Sequence, residues 1–353
     1  MYTRKVFKAW DMVKWTRFET MLFFSFALAV VALYHFLDLN WLKIPWTPLA
    51  LIGTAVAFVI GFQNNAAYGR IWEARKIWGG VVNTSRTFGM FVQDMISIDS
   101  ITDNDEQTAI AQEIRILTYR HIAWMTALRH AMRAEKPWET VSKERSNKAW
   151  LRVIQPPERL IALKDDLEPY LSDEDLAYTL NKSNKQTAIL YLQSHHLRTL
   201  KDKGWLWPFA FLQLEGVLEE LFTLQGKSER IKNFPYPRHF ATLNHYFMWV
   251  FVFLLPFALV PQFNEIGMGI IKDHPLVGSY FTWLSIPFYV IVAWVFHTME
   301  RIGRTGENPF EGSANDVPIS TIARGIEIDL RQNLGETAAN IPNQFPMTYD
   351  TQM

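Results

Sequence analysis

The residue types that usually carry chemistry are present in this chain, but not in patterns that perform it. His195 and His196 are adjacent, so on a helix they point about 100° apart and cannot chelate one metal as a pair. His121 and His130 fall in an amphipathic run and read as packing or surface residues. Glu215, Glu219 and Glu220 cluster on one predicted helix. A solvated acidic face accounts for them, and they become a cation-attracting ring if that helix repeats around an axis. The chain contains no HExxH pair, phosphate-cradling glycine loop or nucleophile elbow. It has no cysteine, which removes disulfides and thiolate metal sites. No enzymatic activity, cofactor or metal is expected.

A different chemistry is written in Thr54, Phe58 and Phe62. They stand at i, i+4 and i+8, so a helix presents them on one face. Such a stripe can face lipid or another helix. It can also line a constriction, where a hydrophobic neck gates by excluding water. Repeated around a symmetry axis, the three positions stack as rings over about 12 Å. One chain has too few spans to enclose a pore, and a homo-oligomer supplies the missing walls.

The elements that must position this stripe follow from composition. The chain has 353 residues, formal net charge +0, 49% hydrophobic residues, 14 Trp and 25 Phe, yet its mean hydropathy is only −0.03. Very apolar spans beside a large charged region reconcile these values. The balanced charge argues against nucleic acid as the main partner. Four segments are long and apolar enough to span a bilayer: Thr20–Leu37, Ile44–Phe62, Tyr246–Phe263 and Leu276–His297. The third carries Pro256 and the fourth Pro287, which a membrane helix tolerates when neighbours satisfy the freed carbonyl. Trp and Tyr at the segment edges fit an aromatic belt.

Lysine and arginine set the orientation. Arg4, Lys5, Lys8, Lys14 and Arg17 precede the first segment, and only Lys43 separates it from the second. Arg70, Arg75 and Lys76 follow the second segment; Lys227, Arg230, Lys232 and Arg238 precede the third. Lys272 alone lies between the last two, and Arg301 and Arg304 follow. The basic clusters fall on one side, which predicts cytoplasmic termini and a cytoplasmic middle region. The basic N-terminus precedes an apolar run without a small-residue cleavage site and reads as retained.

The second segment runs on without proline into FQNNAAYGRIWEARKIW, predicting one helix that leaves the membrane and continues to residue ~95. The region 63–245 reads as a helical folded unit. Its predicted elements are a helix within EQTAIAQEIRILTYRHIAWMTALRHAMR, a proline-bearing loop with a short helix over Lys136–Glu158, and helices at Asp165–Leu180, Lys185–Lys201 and Pro208–Ser228. No stretch alternates like a strand, and the two membrane pairs show no internal repeat. RTGENPFEGSANDVPIS is a dense turn. Ser320 is a plausible N-cap for a last helix, and the tail beyond Glu336 reads as disordered or draped over a neighbour.

Three stretches together resemble the bestrophins and their bacterial homologues: LIGTAVAFVIGFQNNAAYGRIWEARKIWGGVVNTSR, ERIKNFPYPRHF with LLPFALV, and ENPFEGSANDVPIS. They occur in the family's order and, with the four spans, cover most of the chain, closer to the bacterial branch than the animal one. The resemblance implies an all-α integral membrane protein. Each subunit would have four transmembrane helices and a large helical cytosolic region, assembled as a homopentamer around one central pore. It places a hydrophobic neck at Thr54, Phe58 and Phe62, ending at the aromatic of Gly61-Phe62. Thr54 stands where the family usually carries a large apolar residue, so that ring is more polar. The cytosolic aperture maps to Phe209, after Pro208 at a helix start.

Animal members bind calcium with an acidic cluster after Asn-Pro-Phe. Here Asn308-Pro309-Phe310 continues Glu311, Gly312, Ser313, Ala314, Asn315, Asp316, without consecutive aspartates, and calcium prefers six to eight oxygen ligands. Calcium gating is not expected; Asp316 or Ser320 instead caps the following helix. The expected organisation is a basic N-terminal segment 1–19, membrane helices in 20–62, a cytosolic unit 63–245, membrane helices in 246–298 and a C-terminal turn, helix and tail 299–353. The expected function is a multi-pass channel of the inner membrane conducting anions such as chloride, its partners being lipid, small inorganic ions and its own copies. A monovalent-cation channel of the same fold is the alternative. A non-channel transporter or adaptor is a further one, but the spans lack midplane ionisable residues and repeats.

Overall fold

The computed structural model describes residues 1–37, 41–97, 104–141, 143 and 145–353. Its helices are α1 (Ala9–Leu37), α2 (Trp46–Met95), α3 (Asn104–Arg133), α4 (Arg145–Leu151), α5 (Leu163–Leu167), α6 (Asp173–Leu180), α7 (Lys185–Asp202), α8 (Pro208–Asn233), α9 (Arg238–Ile270), α10 (Pro275–Tyr280), α11 (Ser285–Gly306) and α12 (Ile319–Asn333). Among the described residues the only β pairing consists of isolated bridges, Tyr2 to Thr351 and Thr348 to Thr351. Among the described residues, four helical stretches are apolar and long enough to cross a membrane: Trp10–Leu37, Trp46–Met95, Arg238–Ile270 and Pro275–Gly306.

The described residues form two hydrophobic cores, and α2 contributes to both. Val56 and Ile60 of α2 pack with Phe23 and Val31 of α1, Met248 and Leu255 of α9, and Tyr289 of α11. Farther along, Trp78, Val81 and Phe88 pack with Trp124 and Leu128 of α3, Leu221 of α8 and Phe310. The helix is 50 residues long, about 75 Å at 1.5 Å per residue. Its prolines lie at Pro45, just before the helix, and at Pro48 in the first turn, where they break no internal hydrogen bond.

α9 keeps both of its internal prolines in one helix. Each removes an N–H and frees the carbonyl four residues earlier. Pro261 frees Phe257, whose carbonyl accepts from the Ile44 N–H at 3.3 Å. A neighbour does what the broken ladder cannot.

Several boundaries differ from expectation. The first helix begins at Ala9, because its basic, aromatic start continues the same helical run. The fourth span is interrupted at Phe281–Leu284, a 3₁₀ turn, and Pro287 sits in the first turn of α11, where proline is tolerated. Asp165–Leu180 is two helices, because the Ser172 hydroxyl accepts from the Asp175 N–H at 3.2 Å and starts α6 afresh. Positions 142 and 144 of the proline-bearing loop lie outside the described residues.

The C-terminal expectations also need correction. Pro318 occupies the N-cap of α12, while the Ser320 hydroxyl donates to Glu158 Oε1 at 2.7 Å. Asp316 caps a turn and not the helix. Its carboxylate accepts from the N–H groups of Phe310 (2.8 Å), Gly312 (2.8 Å) and Val317 (2.7 Å) and from Arg133 Nη1 (2.8 Å). This holds Phe310 at φ 75°, a left-handed conformation that costs a bulky residue energy. The tail folds back on its own chain: the Thr321 N–H and hydroxyl both donate to the Met353 carbonyl, at 2.6 and 2.7 Å.

Candidate functional site

The stripe on α2 stands away from its own core. Gly53, Val56, Ile60, Gln63 and Ala67 repeat at three and four and are buried. Thr54, Phe58 and Phe62 take the opposite phase and are exposed, with Phe58 at 66% and Phe62 at 71%. Phe58 and Phe62 are two of several large apolar side chains that α2 leaves uncovered, Leu51, Tyr68 and Trp72 among the others, and apolar surface of this kind marks a contact or a passage.

The three residues line a groove between α2, α9 and α11, with Phe251, Leu255 and Phe296 among the residues of its far wall. Gly53 makes that wall possible, since a Cβ there would lie 2.7 Å from the Phe251 ring. Phe251 and Phe296 pack with ring centroids 4.6 Å apart. The Thr54 hydroxyl donates to the Ala50 carbonyl at 2.9 Å. Its proton is committed to the helix, and the oxygen lone pairs are what it can offer a neighbour.

Polar contacts that sequence reading missed fix the end of this groove. Asn244 Nδ2 donates to Gln63 Oε1 at 3.1 Å, joining α9 to α2. Asn64 Nδ2 donates to the Met299 carbonyl at 3.1 Å, joining α2 to α11. Gly303 permits this approach, because a Cβ there would stand 3.0 Å from Asn64 Oδ1. An ionic set built on the buried Glu300 and Arg301 lies beside them. His245 Nδ1 is 3.1 Å from Glu300 Oε1, Arg304 Nε is 3.4 Å from the same oxygen, and Arg301 Nη1 is 3.4 Å from Glu19. Glu300 and Arg301 follow the fourth apolar run directly, so their burial was legible only as a charge next to a span.

Phe209 is exposed at 68% in the first turn of α8, with Pro208 before it and Trp207 at 5.5 Å between ring centroids. It lies apart from the groove residues, on a different helix. On the same helix, Glu219 and Glu220 are exposed and Glu215 is half-buried.

The histidines have structural partners. His121 is fully buried, stacked on Phe88 at 4.8 Å and Trp124 at 5.3 Å, and burial pushes its pKa down to about 3. His130 Nε2 is 2.8 Å from Asp166. His196 Nδ1 is 2.8 Å from Arg120 Nη1, which can only donate, so Nε2 carries the proton toward Glu113 Oε2 at 2.9 Å. Burial first, then Arg120, lower the His196 pKa. His195 and His196 both edge a cleft between α3, α6 and α7 with Arg115 and Tyr119. Among the described residues, no group of three or more His, Cys, Asp or Glu side chains converges as a metal site would require.

Comparison with known proteins agrees with this architecture. A family profile described as Bacterial/Fungal Bestrophin protein matches residues 11–273 and 274–332. The voltage-dependent anion channel-forming protein YneE of Escherichia coli strain K12 is 27% identical over 323 residues, covering 91% of this chain and 87% of that protein. A voltage-dependent anion channel-forming protein of Ralstonia nicotianae is 27% identical over 319 residues, covering 89% of this chain and 86% of its own length. The crystal structure of a bacterial bestrophin homologue from Klebsiella pneumoniae superposes with TM-score 0.69 at 21% identity, over 91% of this chain and 99% of that one. With four membrane-length helices, an all-helical fold and a profile match across most of its length, this chain is a multi-pass membrane protein of the bestrophin family.

Proposed function

We propose that the protein is an anion channel in which five copies surround one pathway, with α2 of each copy presenting Thr54, Phe58 and Phe62 to a hydrophobic neck. The observation that carries this reading is the exposure of Phe58 and Phe62 on a helix that joins both cores. The names of the relatives as anion channel-forming proteins support the sign of the ion. The positive edges of phenylalanine rings suit a partly dehydrated anion. Phe209 forms the second constriction, at the far end of α8. The proposed orientation has both termini and residues 63–245 in the cytoplasm, which the one-sided distribution of lysine and arginine supports, and the proposed membrane is the inner one.

One observation favours a second reading, a monovalent-cation channel of the same fold. The Thr54 hydroxyl proton is spent on Ala50, leaving acceptor lone pairs that suit a cation. The discriminating experiment is reversal potential in planar bilayers under a salt gradient, with purified protein and Phe58→Ala in parallel. An anion-selective wild type whose conductance changes in Phe58→Ala supports the proposal. No conductance, or a robust conductance that Phe58→Ala leaves alone, removes the neck. Counting rotational symmetry in particle images tests the fivefold assembly separately.

A further inference from the structure

Beneath the stripe, two lysines on different helices come to one level and one side. Lys76 is eighteen residues beyond Phe58 on α2, and Lys227 is eighteen residues beyond Phe209 on α8. Eighteen residues are five turns, so each lysine lies on the same meridian as its phenylalanine. Both lysines are exposed. Among the described residues neither has an acidic partner, whereas Arg230 is engaged by Glu73 at 2.8 Å.

The register between the helices follows from two contacts. Glu73 pairs with Arg230, and Gly80 meets Leu224, whose Cδ2 would be 2.8 Å from an added Cβ. α2 and α8 therefore run antiparallel. Lys76, between the α2 members of these contacts, is level with Lys227, between the α8 members. From the close Gly80–Leu224 contact, Lys76 is rotated about 40° around α2 and Lys227 about 60° around α8, in the same sense about each helix's own axis. Because the helices are antiparallel, the two offsets turn to the same side of the pair.

We infer that Lys76 and Lys227 form a cationic belt in the wide part of the pathway, between the Phe62 ring and the Phe209 ring, which concentrates anions below the neck. This inference rests on the proposed pore. If Phe58 and Phe209 face the ion path, helix geometry puts both lysines on it. The belt lies about 21 Å along α2 from Phe62 and about 27 Å along α8 from Phe209. Glu219 and Glu220, exposed on α8, lie nearer the Phe209 end by about two turns. The wide section is thus basic toward the neck and acidic toward the aperture. Lysine heads on long stems supply a smeared field and no fixed ligand geometry, so the belt discriminates by charge sign and not by ion size.

The chain has no cysteine, so Lys76→Cys and Lys227→Cys each introduce the sole thiol. In bilayers, a positively charged thiosulfonate reagent should restore the anion conductance that each substitution removes, and a negatively charged one should lower it further. The double variant Lys76→Gln/Lys227→Gln should lower anion conductance at least twofold at about 50 mM salt. At about 1 M, where the Debye length falls to about 3 Å, the loss should shrink below about 1.2-fold. Lys→Arg at both positions should behave as wild type. If Phe58→Ala alters conductance while the lysine variants and both reagents change nothing at low salt, the belt is wrong and the neck stands. If neither Phe58→Ala nor the lysine variants alter conductance, the pore reading fails and the belt with it.

Discussion

The Tyr289 hydroxyl on α11 donates to the Val252 carbonyl on α9 at 3.2 Å. That carbonyl is the one Pro256 frees four residues later in α9. Both groups are buried at the helix contact. The proline and the tyrosine are one unit: the first opens the ladder and the second closes the account from another helix.

A double-mutant cycle tests this. Tyr289→Phe in the native background leaves a buried carbonyl without its donor and should cost about 1–3 kcal/mol. Pro256→Ala restores the backbone N–H that Val252 lost. In that background Tyr289→Phe should cost less than about 0.5 kcal/mol, because packing of the ring is retained. Thermal unfolding in detergent reads both. Equal losses in the two backgrounds would separate the tyrosine from the proline.

Much of this arrangement was legible in the sequence. Helical spacing put Thr54, Phe58 and Phe62 on one face of α2, and the structure leaves all three exposed. Pro256 announced that a neighbour must supply a donor. Which neighbour was not legible, because Tyr289 and Ile44 reach α9 only through tertiary packing. The same holds for Asp316, whose turn-holding role depends on Arg133, 183 residues away in sequence. Ser320 carried a local capping signal that lost to Glu158, a partner no window around residue 320 contains.

His121 makes acid stability a direct prediction. Burial lowers its pKa from 6.5 to about 3, so below pH 6.5 the unfolded chain takes up a proton that the folded chain refuses. Stability therefore falls as pH drops through that window. At pH 5 the loss is about 2 kcal/mol, at 1.36 kcal/mol per pH unit. His121→Phe keeps an aromatic ring against Phe88 and Trp124 and removes the titration. The variant should lose less stability than wild type between pH 7 and pH 5, and parallel pH profiles would reject the assignment.

Glu311 acts in the opposite sense. It is buried beside Asp316 and Glu139, accepting from the Thr140 N–H at 3.1 Å, and burial raises its pKa well above 4.5. Across the window above 4.5, the folded state holds a proton the unfolded state has released, so this group's contribution weakens as pH rises. Glu311→Gln preserves the shape without the ionisation. Its stability relative to wild type should rise between pH 5 and pH 8. A constant difference over that range would show that Glu311 does not titrate there.

Two glycines distinguish packing within one copy from the proposed pore face. A Cβ on Gly278 would lie 2.6 Å from Ile271 Cα and 2.8 Å from the Gly267 carbonyl oxygen. Backbone must move to admit it, so Gly278→Ala should destabilise the protein by about 1–3 kcal/mol. Gly61, between Phe58 and Phe62 on the stripe, has nothing within 4 Å of an added Cβ. Inside a helix, alanine is favoured over glycine by about 1 kcal/mol, so Gly61→Ala should leave one isolated copy as stable or more so. In the proposed channel this face meets another copy or the ion path. Gly61→Ala should then change conductance or assembly while helicity by circular dichroism is unchanged. Wild-type conductance and oligomeric state in Gly61→Ala would place this face against lipid, which yields easily to one methyl group.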